Sequence, residues 1–349
     1  MPPEESTPTL ATVAASAGVS IATVSKVLNG RADVGPETRA RVQSLLQQHD
    51  YVGRRGEPSG RTLAGQPTVE LVLHGRISVY FMEILRGALD VGTELGVTIS
   101  VSLRQRPQGT TAGKRSATWV RELVELGRSA VVDVVDDVRE GDLSALARSR
   151  LPLVVIDPLN LPRRQLTSVG ATNFSGGLAA TEHLLSLGHH RIAYMGAIAA
   201  AAYNQARVHG YRAAMEAAGI EIPDGYVRSG DFDYQAGVAG GAVLLDLPER
   251  PTAVFAATDE VAAGIVEAAR TRGLRVPEDL SVVGFDDTEI AALLSPPLTT
   301  VRQPLREMGR LALRTAVRLA AGEELDAHHV ELATELVIRS STAPPARST

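Results

Sequence analysis

A chain of 349 residues that is 44% hydrophobic can bury a substantial core, and its length favours two or three domains. It contains no cysteine, which excludes disulfides and cysteine-ligated metals, and a net charge of −5 argues against indiscriminate coating of nucleic acid. The opening MPPEESTPTL lacks the basic segment and apolar run of a secretory signal, and no later apolar run is of membrane-spanning length, so a cytoplasmic chain with no membrane partner is expected.

Residues 11–17 predict a short helix, with Val13, Ala14 and Ala17 on one face and Gly18 available for a left-handed cap. Ser20 then caps a second helix in which Val24, Val27 and Leu28 face inward, leaving Ile21, Ala22, Ser25 and Lys26 outward. Asn29-Gly30 stops that helix. Pro36, followed by the acidic Glu37, starts a third, and Val42, Leu45 and Leu46 close a small core. Two short helices about a glycine turn form a helix-turn-helix unit, whose second helix lies in the major groove; an ordinary helical hairpin shares the same spacing. Residues 20–65 are locally basic, with Lys26, Arg31, Arg39, Arg41, Arg54, Arg55 and Arg61 against Asp33, Glu37, Asp50 and Glu57, as phosphate contact requires.

Several positions here form a specific pattern: Val13-Ala14, Ala17-Gly18-Val19-Ser20, Thr23-Val24-Ser25, Val27-Leu28-Asn29 and Pro36-Glu37-Thr38-Arg39. The stretch resembles the headpiece of the lactose and purine repressor (LacI/GalR-type) family of bacterial transcriptional regulators. That resemblance implies a DNA-binding homodimer that reads a pseudopalindromic operator. Its contacts would come from Thr9, Ser20, Ile21, Ala22, Thr23, Ser25, Lys26 and Asn29, with Thr38 and Arg39 on phosphates. Ile21 and Ala22 can offer apolar contact to thymine methyls, and Lys26 can donate to guanine acceptors. Thr12 stands where the family usually has an acidic residue. The linker, YVGRRGEPSGRTLAGQPT, also departs from the family form, with Gly53 and Pro58 interrupting the usual hinge helix. Leu63 is the one residue there able to act as a minor-groove wedge; Arg54, Arg55 and Arg61 could track the backbone or simply line a solvated tether.

Beyond the linker, β-branched runs at 69–73, 97–101, 130–135 and 153–156 alternate with helical segments. A second series follows, with strands at 191–195, 253–256 and 281–285 and helices at 176–187 and 205–218. The expected fold is therefore an N-terminal all-α helix-turn-helix headpiece plus an α/β core of two doubly wound parallel-sheet subdomains, periplasmic-binding-protein-like, around a crevice. The expected organisation is a headpiece at 8–52, a hinge at 53–68 and a core at 69–342. Within the core, one subdomain takes 69–168 plus 303–329 and the other 169–302 plus 330–342, so the resemblance puts crossovers near Ser168, Gln303 and Val330.

Ligands of such folds bind beyond the carboxyl ends of the strands. Asp286 ends one strand and could accept two sugar hydroxyls, Arg207 near a helix start could donate from its planar fork, and Phe232 could stack on a sugar ring. The resemblance places these three at a small-molecule effector, and Asp157, Tyr80 and Phe81 at the same crevice. A helix cap, a structural ion pair and core packing are the bland alternatives. Thr258 replaces an asparagine found in several members. His189-His190 read as a helix-end feature beside Gly188, and no metal or cofactor is expected. The chain lacks a nucleophile elbow, a phosphate loop and a zinc-protease helix, so no enzyme is expected, and adjacent pairs such as Asp136-Asp137 and Asp286-Asp287 fit no catalytic frame. The reading is a repressor of carbohydrate-metabolism genes with a sugar-like effector; alternatives are a regulator answering to a purine or other metabolite, or a solute-binding protein.

Overall fold

The computed structural model describes residues 10–28, 34–48, 66–104, 117–136, 138, 140–160 and 166–346. The chain divides into an N-terminal helical unit and a larger α/β unit. Thr9, Asn29 and Leu63, with nearly all of the expected hinge, lie outside the described residues. No helix among those described is long and apolar enough to cross a membrane.

The helical unit holds α1 (Leu10–Ala17), α2 (Ile21–Leu28) and α3 (Pro36–Gln48). Its core is Val13, Ala14, Ala17, Val24, Val27 and Val42, with Val19, Val34 and Leu45 packed at its edge. Gly18 has φ of +64°, and the Val19 amide donates back to Ala14 O at 3.1 Å, so α1 is closed by the left-handed turn its sequence called for. Ser20 caps α2: its Oγ accepts from the Thr23 amide at 3.1 Å and shares a 2.9 Å hydrogen bond with the Thr23 hydroxyl.

In the larger unit the elements run β1 (Thr68–His74), α4 (Val79–Leu95), β2 (Thr98–Arg104), α5 (Ala117–Glu125), β3 (Arg128–Val134), α6 (Glu140–Arg148), β4 (Leu153–Ile156) and β5 (Thr167–Ala171). Then come α7 (Asn173–Ser186), β6 (Ile192–Met195), α8 (Ala202–Ala217), β7 (Val227–Arg228), α9 (Tyr234–Leu245), β8 (Ala253–Ala256), α10 (Asp259–Arg270), β9 (Ser281–Asp286), α11 (Glu289–Leu293) and β10 (Thr299–Arg302). The chain ends with α12 (Leu305–Ala320), β11 (His329–Leu332) and β12 (Glu335–Val337).

These strands form two sheets, β2-β1-β3-β4-β5-β11 and β7-β6-β8-β9-β10-β12. Every pairing is parallel except the last, β10 with β12. Both sheets reverse strand order at the same place, between β1 and β3 and between β6 and β8. Ligand sites of open α/β sheets gather at the carboxyl end of such a switch point.

The chain crosses between the halves three times, after β5, after β10 and between β11 and β12. The outer crossings lie slightly beyond the expected Ser168 and Val330. β5 pairs with β4 and β11 in the first sheet through Ala171, and β11 stays in that sheet to Leu332, so the switches fall at Thr172 and at residues 333–334. Hydrogen bonding fixes them there. The Thr172 amide donates to Leu332 O at 2.9 Å, the Thr334 amide donates to Thr172 Oγ1 at 3.0 Å, and the Thr334 hydroxyl donates to Thr172 O at 3.2 Å. The middle crossing sits at Gln303-Pro304, where α12 begins and returns to pack on β3, β4 and β5.

Candidate functional site

In the helical unit, α2 turns Val24 and Val27 into the core, which leaves Ile21 52% exposed and Lys26 on the surface. Thr23, Thr38 and Arg39 are half-buried. Ala22 and Ser25 lie within α2, and their side chains are outside the described set. The Ser20 oxygen is committed to its cap, so its role in the unit is first of all to start the reading helix.

In the α/β unit, the ends of β4 and β9 and the first two turns of α4 and α8 bring four of the six sequence-predicted residues into one polar set. Arg207 is 2% exposed. Its Nε donates to Asn173 Oδ1 at 2.8 Å, Nη1 donates to Ala257 O at 2.5 Å, and Nη1 lies 3.8 Å from Asp286 Oδ1. The guanidinium carbon is 3.7 Å from the Phe285 ring centroid, a cation–π contact inside the fold. Arg207 stands in the second turn of α8, not at its start, because the helix opens at Ala202, three residues earlier than its sequence pattern suggests. The Ala202 amide donates to Leu159 O at 2.7 Å, which ties that helix start to the loop after β4.

Asp286 closes β9 with φ of +113°, a backbone conformation that L-residues rarely adopt. Gln303 Nε2 donates to its Oδ1 at 2.7 Å. Gln303 Oε1 is buried and accepts no hydrogen bond from the described residues. Burial pushes the Asp286 carboxyl well above the usual range, opposed by Arg207. Asp157, at the end of β4, also has positive φ, +46°, and accepts the Tyr80 hydroxyl at 2.5 Å. Burial raises Asp157, against the pull of Tyr80 and Arg207, and burial followed by Asp157 lifts the Tyr80 phenol well above its usual value.

Phe232 is half-buried, with its ring centroid 5.5 Å from that of Tyr203, and it packs on the cores of both halves. Phe81 is placed differently from the expectation. It is 7% exposed and belongs to the core of the first half, edge-on to Tyr80 at 5.6 Å, because α4 turns it inward with Ile84 and Ala88.

Three neighbours were not legible as functional in the sequence. Tyr203 stands between Phe232 and Arg207, 5.4 Å from the guanidinium carbon. Asn173 and Gln303 orient Arg207 and Asp286; both follow or precede a crossover, and their only sequence signal is an amide side chain at such a junction. Thr258 caps α10 by accepting from the Val261 amide at 3.1 Å. Asp287 turns away from Asp286 to Arg302 at 2.8 Å and Arg339 at 2.6 Å, so the adjacent acids serve separate partners. His189 corrects a further expectation. Its backbone does close α7, but its buried ring sits within hydrogen-bond distance of Thr252 Oγ1, Ser281 Oγ and Ala343 O, at 2.9, 3.1 and 2.9 Å. It ties the last segment of the chain to β9 rather than meeting helix carbonyls.

Below this set lies Asp259, fully buried and accepting from the Thr288 amide at 2.7 Å, the Thr288 hydroxyl at 3.0 Å and the Thr300 hydroxyl at 2.6 Å. Burial pushes its carboxyl up to about 7 despite those donors. A raised carboxyl pKa stabilises the fold fully below the unfolded value near 3.8, and that contribution is lost as pH rises through about 7. Asp259→Asn should therefore gain stability relative to the parent as pH is raised from 5 to 8. Urea midpoints at pH 5, 6, 7 and 8 check this; parallel curves would show that Asp259 stays ionised throughout.

The polar set thus holds two carboxyls, a phenol and a guanidinium beside an aromatic face, in a core of two like-wound sheets. A family model described as bacterial regulatory proteins, lacI family, matches residues 9–53, and one for a periplasmic binding protein-like domain matches residues 181–342. The HTH-type transcriptional regulator CelR of Thermobifida fusca is 36% identical over 344 residues, covering 96% of this chain and 98% of that protein. The chain belongs to the lacI family.

Two solved lacI-type structures agree over the same span. A CelR–cellobiose complex superposes with a TM-score of 0.71 at 32% identity, covering 96% of this chain and 99% of that one. The lac repressor dimer bound to operator and the anti-inducer ONPF superposes with a TM-score of 0.73 at 26% identity and the same coverage. As a member of this family the chain is a DNA-binding transcriptional regulator, with a helix-turn-helix N-terminus and a periplasmic-binding-protein-like core of two parallel-type sheets.

Proposed function

We propose that this regulator is a repressor, cytoplasmic and without enzymatic activity, that binds a pseudopalindromic operator as a homodimer and is released by a small sugar. The observation that carries the effector class is the set Arg207, Asp286, Asp157 and Tyr80 beside Phe232. It combines planar donors, carboxyl acceptors and a stacking face, the combination that fits a polyhydroxylated ring with one apolar side. The leftover Gln303 acceptor adds a place for one more hydroxyl. A ligand touching Asp157 and Tyr80 of one half and Arg207 and Asp286 of the other favours a particular angle between them, and that differential contact is all that switching requires. Arg76–Glu260 at 2.9 Å and Arg86–Glu289 at 3.2 Å already join the halves, but as exposed pairs they contribute little. Phe81 is assigned to packing, and Thr258 to its cap.

A thermal-shift screen of the full chain against sugars, nucleobases and amino acids tests the effector class. A saccharide that raises the melting temperature and releases bound DNA is expected; a purine as sole hit would replace the sugar reading. On the DNA side, Ile21, Ala22 and Lys26 supply base contacts, while Thr38 and Arg39 hold phosphates. Lys26→Ala should cost specific binding about 1–3 kcal/mol and relax preference at one base pair per half-site. Selection from genomic fragments followed by anisotropy on the selected site measures both, and unchanged base preference would remove Lys26 from the reading surface.

A further inference from the structure

We propose that His74, Asp133 and Asp136 form a binding site for a divalent metal ion of the zinc class. These three residues are distinct from the polar set above and come from β1 and from β3 and its exit, the strands on the far side of β4 from β5. One nitrogen and two carboxylate oxygens all fall within 4.8 Å of one another, on side chains that are 2%, 0% and 1% exposed. His74 Nε2 is 2.7 Å from Asp133 Oδ1 and 3.7 Å from Asp136 Oδ2. Metal–ligand bonds of about 2 Å set tetrahedral donor atoms about 3.3 Å apart, between those two spacings, so the set reaches that geometry when the Asp133 carboxylate moves outward and the Asp136 carboxylate inward.

The placement is that of a ligand site rather than a random buried polar cluster. His74 is the last residue of β1, and Asp133 and Asp136 end β3 and its exit, which is the switch point of the first sheet. The residues reach one point through their strands. Val72 and Val131 pack in the core beneath α5 and α6, and strand alternation sends His74 and Asp133 to that same face. Val135 has φ of +58°, unusual for a β-branched side chain, and its turn returns Asp136 to the imidazole. An aspartate inside the run Ala130-Val131-Val132-Asp133-Val134 buries a carboxyl where the pattern calls for valine.

One imidazole with two carboxylates is a three-ligand set that leaves a fourth position open, and it suits zinc, cobalt or manganese better than calcium, which takes more oxygens. A bound ion would take the Nε2 lone pair of His74 in place of the present hydrogen bond between Nε2 and Asp133 Oδ1. The ion would also anchor Gly75 and Arg76, the segment whose guanidinium reaches Glu260 in the other half.

The test uses the full chain, stripped with chelator and titrated with zinc chloride by calorimetry, with bound metal counted by elemental analysis. One zinc per chain and a higher melting temperature are expected, and cobalt should give visible absorption of a nitrogen–oxygen site. Asp136→Asn, nearly isosteric, should weaken zinc about ten-fold or more and abolish the cobalt spectrum, while the double variant His183→Ala/His190→Ala leaves both unchanged. Failure to bind stoichiometric zinc, binding unaffected by Asp136→Asn, or loss only in the His183/His190 variant would each overturn the site and leave a His–Asp hydrogen-bonded cluster. Since the probe is the metal alone, a failed sugar screen leaves this result intact.

Discussion

Arg207→Met is expected to lower the stability of the α/β unit by about 3–5 kcal/mol and to abolish DNA release by the effector. The size follows from what the guanidinium leaves behind. Asn173 Oδ1 and Ala257 O would each lose their donor, and Asp286 its nearest cation, all in a site almost closed to water. Methionine restores much of the volume against Phe285, so the loss reports the polar partners more than a cavity. The carboxyl of Asp286 can escape part of the cost by protonating, since it is already held well above its usual value. The deficit should accordingly be smaller at pH 5 than at pH 8. Arg207→Lys retains charge but not the fork, so it should recover part of the stability while leaving ligand response poor. Urea midpoints at the two pH values, with ligand-dependent DNA release, separate the two effects. A methionine variant within about 1 kcal/mol of the parent would show that Arg207 is not the keystone of this set.

Why some of this was legible in the sequence and some was not comes down to range. Gly18 and Ser20 act on neighbours within three residues, so the headpiece turn and cap could be read directly. The valine runs at 130–135 and 153–156 specify buried strands locally, and Asp157 and Asp286 stand where such strands end. Phe81 shows the limit: it is adjacent to Tyr80, and only the rotation of α4 on the first sheet decides which of the two meets Asp157. His189 shows another. Gly188 marks the helix end correctly, but the partners of the imidazole, Ser281 and Ala343, lie at residues no local pattern connects to it. The same holds for His74 and Asp133, whose meeting depends on β1 and β3 being neighbours although α4, β2 and α5 separate them in the chain. The outer crossovers were displaced for a similar reason, since the length of β5 and β11 is set by pairing with each other.

Gly177→Ala is expected to destabilise the protein by at least about 2 kcal/mol, although alanine is the better helix former by about 1 kcal/mol. A Cβ at Gly177 would collide with the carbonyl oxygen of Arg207, and one at Gly210 with that of Phe174, so α7 and α8 touch backbone to backbone. The first half repeats the device with Gly87 against Arg306 and Gly309 against Ile84, and the second half again with Gly237 against Val261 and Gly264 against Tyr234. Since the obstacle is backbone, no rotamer change relieves it; the helices must separate. Gly141, on α6 with open space around it, is the contrasting case, and Gly141→Ala should be neutral or stabilising by up to about 1 kcal/mol. If both alanines behaved alike, helix propensity rather than close approach would govern these positions. The crossing of α7 on α8 carries an added consequence, because the atom in the way belongs to Arg207 itself. Pushing α8 outward moves the guanidinium away from Asp286, already 3.8 Å distant, while Asn173 on α7 stays behind. Gly177→Ala should therefore weaken effector binding more than Gly237→Ala at equal loss of stability, a comparison that calorimetric ligand titration on the two variants resolves.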